Sequence, residues 1–130
     1  MPDGSPFHSW NGVAAHEIHD GVRLHAIGGD QVLLCRVQYE AGKQVTRHAH
    51  DHTEQLMAVI EGSVTMTIGG ETRVLGPGDV VCVNRGIEHE LYSEGGVTFF
   101  EALAPVPLDH VPDRDRDLVL ANGGETHVAR

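Results

Sequence analysis

Residues 63–68 read SVTMTI: Val64, Met66 and Ile68 fall on one face of an extended chain, Thr65 and Thr67 on the other. A period of two is the signature of a half-buried antiparallel strand. Gly69-Gly70 follows, and two residues free to take positive φ predict a tight hairpin returning through 71–75. Residues 31–39 alternate as well, with Leu33, Cys35, Val37 and Tyr39 sharing a face. After the breaker Gly76-Pro77-Gly78 the pattern predicts strands over 79–84, 88–93 and 97–103, separated by Arg85-Gly86 and Glu94-Gly95-Gly96. Short strands at intervals of about 8–12 residues, with turn signals between them, predict an all-β sandwich or barrel. No stretch combines helical periodicity with caps. From Ala104 onward Pro, Asp and Arg dominate, which predicts an extended, partly disordered tail. The organisation expected is one domain: an arm over 1–20, a barrel over 21–104 and an extension over 105–130.

Composition narrows the function classes. The chain has 130 residues, enough for a single modest core, and its 40% apolar and 22% charged residues are those of a globular domain. Nine Lys and Arg against 19 Asp and Glu give a formal charge of −10, which repels phosphate backbones and argues against a nucleic-acid partner. No apolar run approaches the roughly 20 residues of a membrane span. The opening residues, MPDGSPFHSW, lack the basic-then-apolar order of a secretion signal, so a cytoplasmic location is expected. Cys35 and Cys82 each lie in an apolar strand-like run and are expected as two buried thiols rather than a disulfide.

The chemistry sits in the histidines. There are ten, and His48, His50 and His52 alternate. Residues two apart on a strand share a face, so His48 and His50 can aim at one point. His89 shares a face with Leu91 and is expected to point inward. Two imidazoles from one segment and a third from a distant strand form a plausible metal-ligand set. An isolated His-x-His on an exposed strand is usually only solvated; here a glycine precedes the pair, and an apolar strand and another glycine follow. His52 is expected at the rim rather than as a further ligand. Glu54 and Gln55 point to opposite faces, so only one of them can join the set unless a bulge intervenes. Glu101 shares parity with Phe99 and Leu103 and so faces inward, as a proton-transfer group or as a buried Glu tied up by Arg36 or Tyr39. His110 is a distant second candidate, expected in the tail.

These segments resemble the cupin family, whose motifs are G-x5-H-x-H-x3-4-E-x6-G and G-x5-P-x-G-x2-H-x3-N. Gly42, His48, His50 and Gly62 match the first; Gly78, Gly86 and His89 match the second. Asn84 stands where the motif has proline, and Ser93 where it ends in Asn. The resemblance implies a double-stranded β-helix, the cupin jelly-roll barrel, commonly a homodimer. It also favours Gln55, which keeps the usual six-residue gap to Gly62, over Glu54. A His48, His50, Gln55, His89 set is similar to that of cupins that linearise unsaturated uronate sugars and of zinc-dependent cupin cyclases of aromatic polyketide pathways. In the former, the resemblance places Glu101 at an Asp, Leu103 at a Phe and Pro107 at an Arg that grips the substrate carboxylate. Absence of that arginine argues against an anionic sugar acid.

Four uncharged donors leave the full charge on a divalent ion and make it a stronger Lewis acid. Zn(II) is the first choice, with Fe(II), Ni(II) and Mn(II) open. The expected function is metal-dependent cyclisation, enolisation or isomerisation of a small poly-oxygenated substrate, with an aromatic polyketide cyclase preferred. The alternatives are an iron-dependent dioxygenase, favoured if Glu54 is the ligand, and a non-catalytic small-molecule-binding cupin.

Overall fold

The computed structural model describes residues 5–107, 111 and 128–129. Its strands are β1 (His16–His19), β2 (Val22–Gly28), β3 (Leu33–Tyr39), β4 (Lys43–His48), β5 (Glu54–Gly62), β6 (Val64–Ile68), β7 (Glu71–Leu75), β8 (Val80–Val83), β9 (His89–Ser93), β10 (Val97–Ala104), β11 (Val106–Pro107) and β12 (Val128–Ala129). A single 3-10 turn, Trp10–Gly12, precedes them, with the Ser9 hydroxyl accepting from Asn11 N. No helix among the described residues is long and apolar enough to cross a membrane.

Two antiparallel sheets face each other. One has the order β1-β2-β3-β10-β5-β8, the other β4-β9-β6-β7. Neighbours in the sheets are mostly distant in sequence, the mark of a jelly-roll rather than a meander. β11 and β12 form a separate parallel pair. Alternation decides what goes inside: Val22, Leu24, Ala26, Leu33, Cys35, Val37, Met57, Val59, Val64, Met66, Val97, Phe99 and Leu103 are buried between the sheets. Each large aliphatic or aromatic side chain so buried contributes roughly 1.5–3 kcal/mol.

The all-β architecture expected from the alternation, and the jelly-roll that the cupin resemblance implies, are what is observed. Tight turns carry it: Gly62 takes φ +78°, and a Cβ there would drive into the carbonyl oxygen of Gly96. Only glycine permits that crossing between the β5–β6 and β9–β10 turns.

Three expectations are corrected. Cys35 is buried, but Cys82 is exposed. The run Val80–Val83 is apolar throughout, so composition hides its parity; Val83 points in and Cys82 out. His50 is not on a strand: β4 ends at His48, after a register shift between Val45 and His48, and His50 follows in the loop. β1 lies inside the segment expected as an arm and pairs with β2; its sequence, HEIH, has too few apolar residues to betray a strand. Most of the extension expected over 105–130, His110 included, lies outside the described residues.

Candidate metal centre

The histidines converge as their spacing suggests, by a route the spacing does not show. Paired strands β4 and β9 put His48 directly across from His89, and β9 also pairs with β6. Beyond the end of β4 the loop folds back, pinned where Gly86 N donates to His50 O at 2.9 Å. The ring centroids of His48 and His89 are 4.2 Å apart, those of His48 and His50 5.2 Å and those of His50 and His89 5.4 Å. One ligand nitrogen from each lies within 4.8 Å of the others. That spread can surround a divalent ion with Zn–N bonds of about 2.0–2.1 Å.

Backbone carbonyls orient two of the rings. His48 Nδ1 lies 2.8 Å from Thr46 O and His89 Nδ1 3.0 Å from Ile87 O. A carbonyl only accepts, so each neutral ring carries its proton on Nδ1 and its lone pair on Nε2. Orienting bonds of this kind are what metal-binding histidines use.

Gln55 and Glu101 come from adjacent strands of the larger sheet, where Leu103 pairs with Gln55 and Glu101 with Met57. Both side chains are buried, at 3% and 5% exposure. Gln55 Nε2 donates to Glu101 Oε1 at 2.9 Å. A carboxylate accepts and an amide nitrogen donates, so this bond fixes which way the amide points. The amide oxygen, Oε1, is thereby left buried without a hydrogen-bond partner among the described residues. An unpaired buried carbonyl oxygen costs about 1–3 kcal/mol unless something electropositive meets it. His48, His50, His89, Gln55 and Glu101 line one cavity of about 360 Å³. A divalent cation fits this set: imidazole lone pairs and an amide oxygen needing a positive partner.

The remaining walls are Ile18, Val37, Tyr39, Val45, Leu91 and Phe99, with His19 and Thr46 also lining the cavity. Tyr39 and Phe99 pack with ring centroids 5.7 Å apart. Burial, and then the Glu101 carboxylate, push the Tyr39 phenol well above its usual range, so it stays a protonated donor. No Lys or Arg lines the cavity among the described residues.

Several sequence expectations are resolved by placement. Gln55 faces the cavity, whereas Glu54 is exposed on the opposite face of β5. Glu101 faces inward and is tied to Gln55 rather than to Arg36, which pairs with Phe100 and faces outward. His52 is exposed and stands outside the histidine cluster. Pro107 is buried in β11 and does not line the cavity. Ile18 and His19 escaped the sequence reading because nothing in HEIH signals that β1 reaches the cavity. Val45 and Thr46 flank the motif, but no pattern separates them from ordinary strand residues.

Residues 35–101 match the cupin domain family over more than half of the chain. The chain is 29% identical over 92 residues to the tetracenomycin polyketide synthase protein TcmJ of Streptomyces glaucescens, a match covering 66% of this chain and 62% of that protein. It is 30% identical over 95 residues to the pectin degradation protein KdgF of Dickeya dadantii, covering 72% of this chain and 86% of that one. The polyketide cyclase RemF from Streptomyces resistomycificus superposes with a TM-score of 0.68 at 22% identity, covering 78% of this chain and 79% of that one. KdgF from Halomonas sp. superposes with a TM-score of 0.72 at 19% identity, covering 78% and 94%. With its two-sheet jelly-roll, its histidine cluster on β4, the following loop and β9, and the family match over residues 35–101, the chain belongs to the cupin family.

Proposed function

We propose that this cupin is a metal-dependent enzyme that promotes enolisation, cyclisation or isomerisation of a small, uncharged, poly-oxygenated compound, with an aromatic polyketide as the preferred substrate class. The observation that carries the reading is the pairing of an uncharged donor set with a largely apolar, aromatic cavity whose described lining residues include no Lys or Arg. His48, His50 and His89 would hold a divalent ion, Zn(II) first, with Gln55 Oε1 as a fourth donor. The ion would supply Lewis-acid polarisation of a substrate oxygen.

The chain's own groups do the rest. Glu101 is the one carboxylic side chain among the lining residues, and it holds the Gln55 amide in place through Nε2. From that position its carboxylate can accept a proton from an activated carbon and return it to another. Phe99, Tyr39, Val37 and Leu91 offer flat apolar surface that excludes water and orients a ring. A sugar acid needs a cationic side chain to balance its carboxylate, and the described lining residues offer none.

The relatives span both substrate classes: one is a pectin degradation protein, another a polyketide synthase protein. The cavity chemistry favours the second. The dioxygenase reading called for Glu54 as a ligand, and Glu54 lies on the opposite face of its strand.

The test is turnover by zinc-loaded protein of an aromatic poly-β-keto compound beside a 4,5-unsaturated uronate. Product from the first and none from the second is expected. Gln55→Glu, which adds a negative charge, should cut turnover by about 10-fold or more while metal content is retained. Unchanged turnover in that variant sinks the Lewis-acid role. Consumption of O₂ by iron-loaded protein would favour the dioxygenase, and retention of the compound without conversion a binding module.

A further inference from the structure

β1 turns both of its last residues toward the cavity, which successive residues of a regular strand cannot do. Its register with β2 runs His16 to Leu24 and Glu17 to Arg23 and then slips, so that His19 rather than Ile18 stands across from Val22. The slip is a bulge: two residues of β1 oppose one of β2, and the extra residue re-aims the side chain that follows. Ile18 packs against the core, and His19 joins it in the cavity lining. The turn beyond is tied down. Lys43 Nζ donates to Asp20 Oδ2 at 2.9 Å, Glu40 N donates to Gly21 O at 2.9 Å, and a Cβ at Gly21 would meet the Lys43 chain at 2.6 Å. Lys43 opens β4, the strand that ends in His48.

β1 and β4 are each an edge of their own sheet and do not pair with each other, yet residues of both line the cavity. Gln55 and Glu101 are buried, whereas His19 is exposed. His19 therefore stands where the cavity meets water. The order β1-β2-β3-β10 puts it three strands from Glu101, roughly 14 Å across the sheet at a strand spacing near 4.8 Å. No hydrogen bond or ion pair among the described residues engages its imidazole, which leaves the ring nitrogens to a ligand. Thr46 also lines the cavity, but its carbonyl oxygen lies against His48 Nδ1. Tyr39 is buried and packs on Phe99.

We propose that His19 is a substrate-contacting residue: its imidazole hydrogen-bonds an oxygen at the end of the substrate that lies away from His48, His50 and His89. The role rests on the reading of this cavity as the site of a poly-oxygenated compound, and it adds a requirement for length. A rigid ring system with an oxygen at one end meets only the buried end of the cavity. The same ring system with oxygens at both ends is held twice, once at the histidine cluster and once at β1. The cavity, at about 360 Å³, falls in the size range of small-molecule sites.

Calorimetric titration of the zinc-loaded full chain with 2,7-dihydroxynaphthalene and with 2-naphthol tests the proposal. The diol should bind about tenfold more tightly, the worth of one added hydrogen bond. His19→Ala should abolish that difference and leave the affinity for 2-naphthol unchanged, while Glu17→Ala, on the outward side of the same strand, keeps it. In the wild-type chain the imidazole resonances of His19 should move with the diol and stay in place with 2-naphthol, a check that does not depend on how the variants fold. Equal affinity for the two compounds overturns the proposal, as do His19 resonances unmoved by the diol. So does a difference that survives His19→Ala but disappears in Tyr39→Phe, which assigns the contact to the phenol, or one that Glu17→Ala also abolishes, which assigns it to the placement of β1. Turnover is scored separately. Protein that converts no poly-β-keto compound but shows the His19-dependent difference loses the cyclase reading and keeps this contact; active protein whose difference survives His19→Ala loses the contact and keeps the cyclase reading.

Discussion

Five described polar side chains are buried between or beside the sheets, and they divide into two regions. Ser93 and Thr53 each reach a backbone carbonyl: Ser93 Oγ donates to Ser63 O at 2.7 Å and Thr53 Oγ1 to Pro105 O at 2.8 Å. Gln55, Glu101 and His89 instead gather around one cavity, and their bonds leave a buried amide oxygen facing no donor. The contrast is between polar groups that complete the fold and polar groups that the fold holds ready. A hydroxyl on a carbonyl repays its own desolvation and asks for nothing more. An amide oxygen buried without a hydrogen-bond partner among the described residues, in a cavity that three imidazoles also line, costs stability for as long as nothing electropositive meets it.

The sharpest way to break this comparison is His89→Ala. If the cluster is a metal centre, affinity for Zn(II), read by competition with a chromophoric chelator, should fall by more than the 10–100-fold typical of groups that merely orient ligands. Unaltered affinity would make the cluster a structural accident. Next comes Gly62→Ala, at the turn beside Ser63. Positive φ and the clash with Gly96 O predict a loss of about 2 kcal/mol or more by urea unfolding, with metal affinity in the folded fraction unchanged. Ser93→Ala should cost about 1–2 kcal/mol, since the Ser63 carbonyl loses its side-chain donor, and should again spare metal affinity. A large drop in affinity in either variant would merge the two regions into one.

The smallest effect concerns His25, whose Nδ1 is also buried without a hydrogen-bond partner but lies far from the cluster, under Trp10. Burial first, then Arg36, Arg23 and His16, lower its pKa below the usual 6.5. The unfolded chain therefore takes up this proton first as pH falls. Above 6.5 the group contributes nothing to the pH dependence; below it, stability declines with falling pH and levels off once the folded state is protonated as well. His25→Asn should flatten that slope in unfolding curves between pH 7 and 5. An equal slope in the variant assigns it to other groups.

Legibility in the sequence followed the same division. The alternation of 63–68 and 97–103 announced strands because each has one buried face, and β6 and β10 match those segments to within a residue. β1 was illegible: a short edge strand with Ile18 as its sole apolar residue satisfies its backbone in the sheet without burying a patterned face. The exposure of Cys82 was hidden for the opposite reason, since in an unbroken apolar run parity carries no information. Within the site, His48, His50 and His89 were visible from spacing and the motif gap favoured Gln55 over Glu54, while the structure showed which of the two faces the cavity.

The chain's linear order determined which residue types could bind an ion, where the strands and glycine turns fall, and that nothing in the composition suits a phosphate backbone. Tertiary structure alone decided that a loop rather than a strand delivers His50, that Glu101 turns the Gln55 amide, and that Ile18 and Tyr39 close the same cavity. The reason is physical. Periodicity reports whether a side chain is buried, because water is the common partner of every residue. It cannot report which buried groups meet, because that depends on the pairing of strands dozens of residues apart.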